Sequence, residues 1–133
     1  ACTDADTRVP AHWLAAQLSC GAPVFCGPVR VASWRSYRAA TRRAFECWES
    51  PVDGHPHVHG ANLGCSAAAY RAVGGFAPLA TGEDVALVGR MVAAGLAVAR
   101  RGDPCVLTSA RRNARAAHGF SGFLAALDTS AAD

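Results

Sequence analysis

The chain has 133 residues, of which 51% are hydrophobic and 17% are charged, so a folded domain is expected and a disordered chain is excluded. No apolar run approaches the ~20 residues that cross a bilayer, and no export signal is seen, so we expect no stable membrane insertion. The net charge of +3 comes from arginines spread along the chain, which argues against a nucleic-acid partner and favours a local anionic ligand. Six cysteines without a C-x-x-C pair indicate reduced thiols and a cytoplasmic protein, which could also act at the inner face of a membrane.

Strand-like and helix-like segments alternate along the chain, and this order predicts an α/β fold in which helices cover a sheet. Residues 1–3 resemble the end of a strand, so we expect a fragment whose N-terminal part is missing. Proline in a first turn and glycine after a last apolar residue mark several helix ends. The predicted helices lie near residues 10–19, 36–49, 66–73, 83–94 and 118–127, and the predicted strands near 23–32, 57–62 and 96–108, the last with a turn at 101–104.

Two aspartates, Asp4 and Asp6, are separated by one residue and follow residues 1–3, the expected end of a strand. Carboxylate oxygens are the ligands that Mg²⁺ and Mn²⁺ prefer, usually together with phosphate oxygens of a substrate. The pair therefore predicts a divalent-cation site. The alternative is a solvated turn that caps the next helix, which so short a motif does not exclude.

Two later turns also carry residues of chemical interest. Gly60, Ala61 and Asn62 form a predicted turn after a strand, where glycine lets the backbone approach a ligand closely. Glu83 and Asp84 open the clearest helix of the chain, and a helix N-terminus stabilises carboxylates. An ordinary turn and an ordinary acidic first helical turn are the structural alternatives.

The order and spacing of these motifs resemble the second half of family 2 glycosyltransferases, which have the nucleotide-diphospho-sugar transferase (GT-A) fold. The resembling segments cover nearly the whole chain: TDADTRVP (3–10), GANLGCSAAAYRAVGGF (60–76), GEDVALVGRMVAAG (82–95) and TSARRNARAAHGF (108–120). The resemblance implies that residues 1–133 are the C-terminal portion of one catalytic domain. It also implies a Rossmann-like mixed sheet flanked by helices, without the N-terminal nucleotide-binding strands. The given residues alone are therefore expected to bind a nucleotide sugar poorly and could be inactive.

The resemblance further implies a metal-dependent enzyme that transfers a sugar, with inversion, from a nucleotide-diphospho-sugar donor to an acceptor hydroxyl. Asp6 would be the direct ligand of Mg²⁺ or Mn²⁺, and Asp4 would contact the ribose or a metal-bound water. Gly60, Ala61 and Asn62 would lie along the donor sugar. The acceptor stays open among a lipid, a saccharide and a small molecule.

The acidic pair of the later helix would supply the catalytic base of such an enzyme. Adjacent helical residues diverge by ~100°, so only one of the two carboxylates can face the acceptor squarely. The resemblance assigns that role to Asp84. Glu83 would then accept hydrogen bonds from the backbone N–H groups of the first turn.

The basic tail would neutralise the departing nucleoside diphosphate, because guanidinium groups suit phosphate geometry. Arg112 and Arg115, with Arg111 beside them, would bind the donor in this way; a solvated basic loop is the alternative. His118 lies where some relatives place a third metal ligand.

Two further groups of side chains have functional and structural interpretations. Three histidines alternate along an extended segment, so they would share one face, which could suit zinc: His55, His57 and His59. Aromatic residues on and before the helix near 36–49 would line an acceptor groove or, as is commoner, belong to the core: Trp34, Tyr37 and Trp48.

Two other classes of protein compete with the glycosyltransferase interpretation. The first is a non-catalytic remnant or interaction module that keeps the fold but binds no donor. The second is a nucleotidyltransferase of related fold, which would need a glycine-rich, basic nucleotide-binding segment near the N-terminus. The given sequence shows no such segment.

Overall fold

The computed structural model describes residues 1–112 and 119–130, which form five helices and five short strands around one single-turn 3₁₀ segment at Gly60–Asn62. Across these two ranges, no helix has the length and apolar character needed to cross a bilayer. The helices are α1 (Trp13–Ser19), α2 (Ala39–Glu49), α3 (Ala67–Ala72), α4 (Glu83–Ala93) and α5 (Phe120–Ser130), and the strands are β1 (Val24–Cys26), β2 (Val29–Val31), β3 (Leu63–Cys65), β4 (Val98–Arg100) and β5 (Val106–Thr108).

The strands form two small sheets. In the first, β1 lies between an antiparallel neighbour, β3, and a parallel one, β4, with Val24 opposite Cys65 and Val98. In the second, β2 and β5 are parallel, with Val29 opposite Val106. The mixed strand directions and the flanking helices confirm the α/β class that the sequence predicts.

Gly27 and Pro28 separate β1 from β2, so the predicted strand near 23–32 is interrupted. Proline has no N–H to donate to a sheet ladder. At Gly27 the backbone passes so close to Asn62 that a β-carbon there would lie 2.3 Å from the Asn62 Nδ2 atom. Only glycine fits this approach, and the chain bends to the second sheet at this point.

Two isolated bridges hold the acidic turn at the N-terminus. Cys2 pairs antiparallel with Leu63 of β3, and Arg8 pairs antiparallel with Leu107 of β5. Residues 3–7 therefore span from the first sheet to the second, anchored at both ends. This anchoring fixes where the Asp4–Asp6 turn lies relative to both sheets.

Two apolar clusters form the core. One packs the β2–β5 sheet against α1, α2 and α5, and the other packs the first sheet against α3 and α4. Trp34 and Tyr37 pack against the first cluster, as expected if they belong to the core. The buried members of the first cluster include Trp13, Val29, Phe45, Val106 and Leu124, and those of the second include Val24, Leu63, Leu87, Val88 and Met91.

The five predicted helices are present, although His118, placed at the start of the last one, lies outside the described residues. The strand predicted near 57–62 is wrong, because the strand begins only at Leu63. The carbonyl oxygens of His55, Pro56 and His57 accept hydrogen bonds from the Arg100 guanidinium, at 3.4, 3.0 and 3.1 Å. The alternating segment is thus held by a side chain and not by a neighbouring strand.

Asp128 of α5 fastens that helix to the beginning of α2. Its carboxylate accepts hydrogen bonds from the Thr41 hydroxyl, from the backbone N–H and side chain of Arg38, and from the Arg112 guanidinium. The Thr41 hydroxyl, followed by Arg112, holds the pKa of Asp128 well below its usual range. The ionised form is therefore the one that the fold stabilises.

We expect Asp128→Asn to lower the stability at neutral pH and to remove a pH-dependent part of it. A carboxyl group with a depressed folded-state pKa contributes stability above its unfolded pKa of about 3.9, and that contribution is lost as the pH falls toward the folded value. Urea unfolding of both proteins from pH 7 to pH 3 measures this. The gap in unfolding free energy should be constant above about pH 5 and shrink below about pH 4. A gap that stays constant down to pH 3 would contradict the assignment, and Glu46→Gln, which alters an exposed pair with Arg42, is the control.

Candidate active site

An open cleft of about 650 Å³ lies beside the acidic turn. Four carboxylate residues line it, two from the turn near the N-terminus and two from the first turn of α4: Asp4, Asp6, Glu83 and Asp84. The fold thus brings together the two acidic motifs, which are far apart in the sequence. The turn also contacts β5, because the Thr7 hydroxyl donates to the Thr108 hydroxyl at 3.0 Å.

The negative charges in the cleft act on one another. Partial burial, followed by the charges of Asp6, Asp84 and Glu83, raises the pKa of Asp4. Like charges destabilise each other's ionised forms when they are crowded, and a cation relieves this repulsion. The cleft wall is therefore electrostatically suited to a positively charged ligand.

Asp84 connects α4 to the turn before β3. Its Oδ2 atom accepts the Gly60 N–H at 2.7 Å, and its Oδ1 atom accepts the Val85 N–H at 2.8 Å. The prediction that Glu83 accepts the backbone N–H groups is therefore wrong, because Asp84 accepts them instead. Glu83 is exposed, and its carboxylate accepts no hydrogen bond from the described residues. Gly82, which precedes α4, has a φ of 72°, a backbone conformation that favours glycine.

The turn Gly60–Asn62 contributes backbone to the cleft but not its last side chain. Its first two residues line the cleft, whereas Asn62 is fully buried and is not among the lining residues. The Asn62 amide accepts the Trp13 indole N–H at 2.8 Å and donates to the carbonyls of Pro28 and Pro104, each at 2.8 Å. Its side chain holds the fold and does not reach a ligand.

The neighbouring residues Arg111 and Arg112 have different partners, which the sequence did not indicate. Arg111 lines the cleft, and its guanidinium lies 3.1 Å from the Asp6 carboxylate. Arg112, expected at the donor, instead stacks on Tyr37 at 4.5 Å and binds Asp128. Arg115 and His118 lie outside the described residues.

The three alternating histidines do share one face, with ring centroids 5.9 and 6.0 Å apart in successive pairs. Each Nε2 atom, however, already has a partner in the protein. That of His55 lies 3.2 Å from two backbone carbonyl oxygens, and that of His57 lies 2.8 Å from the Trp48 carbonyl. The His59 ring binds the buried Glu49 carboxylate at 2.9 Å. A histidine zinc site therefore finds no support from these contacts.

Aromatic side chains also line the cleft. Trp48, near the end of α2, and Phe120 and Phe123, in the first turn of α5, line the cleft together with His57. Of the three aromatic residues considered for a groove, only Trp48 lies here. Phe120 and Phe123 lie in the helix predicted near 118–127, and the apolar spacing of a helix does not distinguish a core face from a cleft lining.

The part of the cleft that the structure describes was compared with the ligand needs of a metal ion. Within residues 1–112 and 119–130, no three His, Cys, Asp or Glu side chains are grouped so that they could hold one. Magnesium and manganese sites at phosphate-transferring centres commonly use one or two carboxylates and take their other ligands from phosphates and water. The oxygen donors of Asp4 and Asp6 fit that chemistry.

Comparison of the chain with protein-family models, curated proteins and solved structures finds no match. The functional argument therefore rests on the site itself. What supports it is the position of two acidic pairs, one arginine and a glycine backbone around a single cleft.

Proposed function

We propose that this protein is a divalent-metal-dependent glycosyltransferase that moves a sugar, with inversion, from a nucleotide-diphospho-sugar to an acceptor hydroxyl. The observation that carries the proposal is the convergence of Asp4 and Asp6 with Glu83 and Asp84 on one cleft. A pair of carboxylates suited to a cation and a separate carboxylate on a helix N-terminus are what such a transfer requires.

Each group around the cleft has a part in the proposed reaction. Asp6 and Asp4 would hold Mg²⁺ or Mn²⁺, which when bound neutralises the charge of the leaving diphosphate. Arg111 would add a second positive charge on the same side. The backbone at Gly60 would approach the donor sugar, with Asp84 fixed beside it by the 2.7 Å hydrogen bond.

The transfer itself is a single displacement. The acceptor oxygen attacks the anomeric carbon while Asp84 takes the hydroxyl proton, so a new C–O bond forms as the bond from that carbon to the phosphate oxygen breaks. The nucleoside diphosphate leaves with the bonding electron pair. Attack from the face opposite the leaving group inverts the anomeric configuration.

The test is a transfer assay on the full chain with a panel of UDP-, GDP- and dTDP-sugars and mixed acceptors. We expect release of nucleoside diphosphate that requires Mn²⁺ or Mg²⁺ and stops when EDTA is added, with an inverted linkage by NMR. Release of pyrophosphate with formation of a nucleotide sugar would instead identify a nucleotidyltransferase. Absence of turnover with every donor, in a folded full-length protein, would overturn the proposal.

The ion pair between Arg111 and Asp6 provides a second test, which needs no turnover. Arg111→Gln should strengthen Mn²⁺ binding about two- to fivefold, since an exposed ion pair is worth up to about 1 kcal/mol and its loss frees Asp6. The same change should weaken binding of a nucleoside diphosphate, because a phosphate partner is removed. Electron paramagnetic resonance of free Mn²⁺ and calorimetry with UDP and GDP measure the two effects.

The matched control for this test is Arg101→Gln. Arg101 forms a similar exposed pair with Asp53, at 3.0 Å, and does not line the cleft. It should change neither binding constant. Because Asp6 already has a cationic partner, a non-catalytic module that never binds metal is the second candidate function. Mn²⁺ binding that is absent both in the wild type and after Arg111→Gln would favour that candidate.

A further inference from the structure

Two chemically different kinds of side chain line the cleft. They are the carboxylates Asp4, Asp6, Glu83 and Asp84, and the aromatic rings of Trp48, Phe120 and Phe123. Trp48 is 43% exposed, although a tryptophan usually buries most of its surface. The proposed transfer accounts for the carboxylates but gives the aromatic rings no role.

Trp48 is held in place by its contacts with neighbouring rings and by the residues next to it in the chain. The Trp48 ring lies 4.1 Å from the His57 ring and 4.6 Å from the Phe123 ring, measured between centroids. The His57 Nε2 atom donates to the Trp48 carbonyl at 2.8 Å. The next residue, Glu49, is buried and accepts the Val29 N–H at 3.0 Å. Trp48 thus stays in a fixed position with part of its surface open, and a ligand need not order it on binding.

The mixture of surfaces in the cleft matches a sugar ring better than a hydrocarbon chain. A pyranose has a face of C–H bonds, which suits the electron-rich face of an aromatic ring, and an edge of hydroxyl groups, which requires polar partners. Ser109, Ser121 and His57 also line the cleft. An acyl chain would displace water from the polar groups and carboxylates of the cleft without offering them a hydrogen bond in its place.

We propose that the acceptor is a saccharide and that its ring stacks on Trp48, with Phe123 beside it and a hydroxyl directed to Asp84. This inference rests on the proposed glycosyltransferase function, and it selects one of the three acceptor classes that the sequence left open. Trp48 is then a substrate-binding residue of the same cleft as the proposed metal ligands.

Saturation-transfer difference NMR on the full chain tests the proposal without turnover. The probes are methyl and octyl glycosides of glucose, galactose, mannose and N-acetylglucosamine, with the octyl compounds kept below their micelle concentrations. We expect saturation of ring protons for at least one sugar, and a binding weaker by about two- to tenfold in Trp48→Ala, the loss typical of one aromatic contact. Trp48→Phe should retain part of the binding.

Phe76→Ala is the control, because Phe76 is an exposed aromatic residue, 39% accessible, that does not line the cleft. Circular dichroism should show that all variants remain folded. Stronger saturation of the octyl chain than of the sugar ring would identify a lipid acceptor and overturn the inference. Ring saturation that is absent for every sugar, or unchanged in Trp48→Ala, would overturn it too.

The outcomes for this inference and for the proposed function can be separated. The saccharide signal is measured without a nucleotide sugar and without turnover, so it does not depend on the transfer step. If Trp48-dependent sugar binding is found but no nucleotide sugar is ever turned over, the transferase proposal fails and the saccharide site remains. If transfer occurs but only to a non-sugar hydroxyl, the saccharide inference fails alone.

Discussion

Asp84→Asn is expected to lower kcat by about 10²–10⁴-fold, the usual contribution of a positioned general base. Asparagine keeps the size of the side chain and one oxygen acceptor, so either the Gly60 or the Val85 N–H bond can persist. What it cannot do is take the proton of the acceptor hydroxyl. Donor affinity should therefore be nearly unchanged, and steady-state kinetics on the full chain separate the two quantities.

Glu83→Gln is the matched comparison, because it makes the same change one residue earlier on the same helix. Glu83 is exposed and accepts no described hydrogen bond, so its replacement should cost less than that of Asp84. Near-normal turnover in Asp84→Asn together with loss of turnover in Glu83→Gln would show that the roles are exchanged. If neither change matters, the pair serves only to begin α4.

Local features of the fold could be predicted well because they follow from short stretches of sequence. The apolar spacing of Leu87, Val88 and Met91, followed by Gly95, defines α4 without knowledge of the rest of the chain. The strand near 57–62 was misplaced because alternating side chains indicate extended backbone but not its pairing. Whether such a segment joins a sheet depended here on Arg100, which no local pattern links to it.

The candidate site could be predicted in part, for a similar reason. Motif order brought Asp6 and Asp84 into one hypothesis, and the structure places both on the same cleft. The sequence could not decide between Arg111 and Arg112, because neighbouring residues of a loop point in directions set by distant partners. Asp128, on α5, draws Arg112 away from the cleft. The sequence did not indicate that Glu49 is buried and binds His59, a residue of the cleft, since a carboxylate at a helix end is ordinarily exposed.

Asn62 shows most clearly that a sequence motif does not define the role of each of its side chains. As part of a G-x-N turn beside a donor sugar, it suggests a ligand-binding amide. In the structure it joins α1, the β1–β2 junction and the segment before β5, through three hydrogen bonds of 2.8 Å each. The conclusion that its side chain is structural leads to a prediction about stability rather than activity.

Asn62→Leu is expected to lower the free energy of unfolding by about 3 kcal/mol or more. The change keeps the number and branching of the side-chain heavy atoms but leaves the Trp13 N–H and the carbonyls of Pro28 and Pro104 without their partner, and each unsatisfied buried group costs about 1–3 kcal/mol. For a domain of ordinary stability, about 5–15 kcal/mol, this is a large fraction of the total. Urea unfolding followed by tryptophan fluorescence measures it.

Gln17→Leu applies the same chemical change to an amide whose loss should matter little. The Gln17 Nε2 atom is buried but donates to no acceptor in the described part of the chain. Leucine therefore removes an unsatisfied donor, and no other group loses a hydrogen-bond partner. Its unfolding free energy should therefore stay within about 1 kcal/mol of the wild type, in contrast to Asn62→Leu. Equal losses in the two variants would show that the three Asn62 hydrogen bonds contribute nothing specific. A side chain that holds the fold cannot be removed without loss of stability. If Asn62→Leu is as stable as the wild type and has lost only donor affinity, Asn62 is a ligand-binding residue and the structural assignment is wrong.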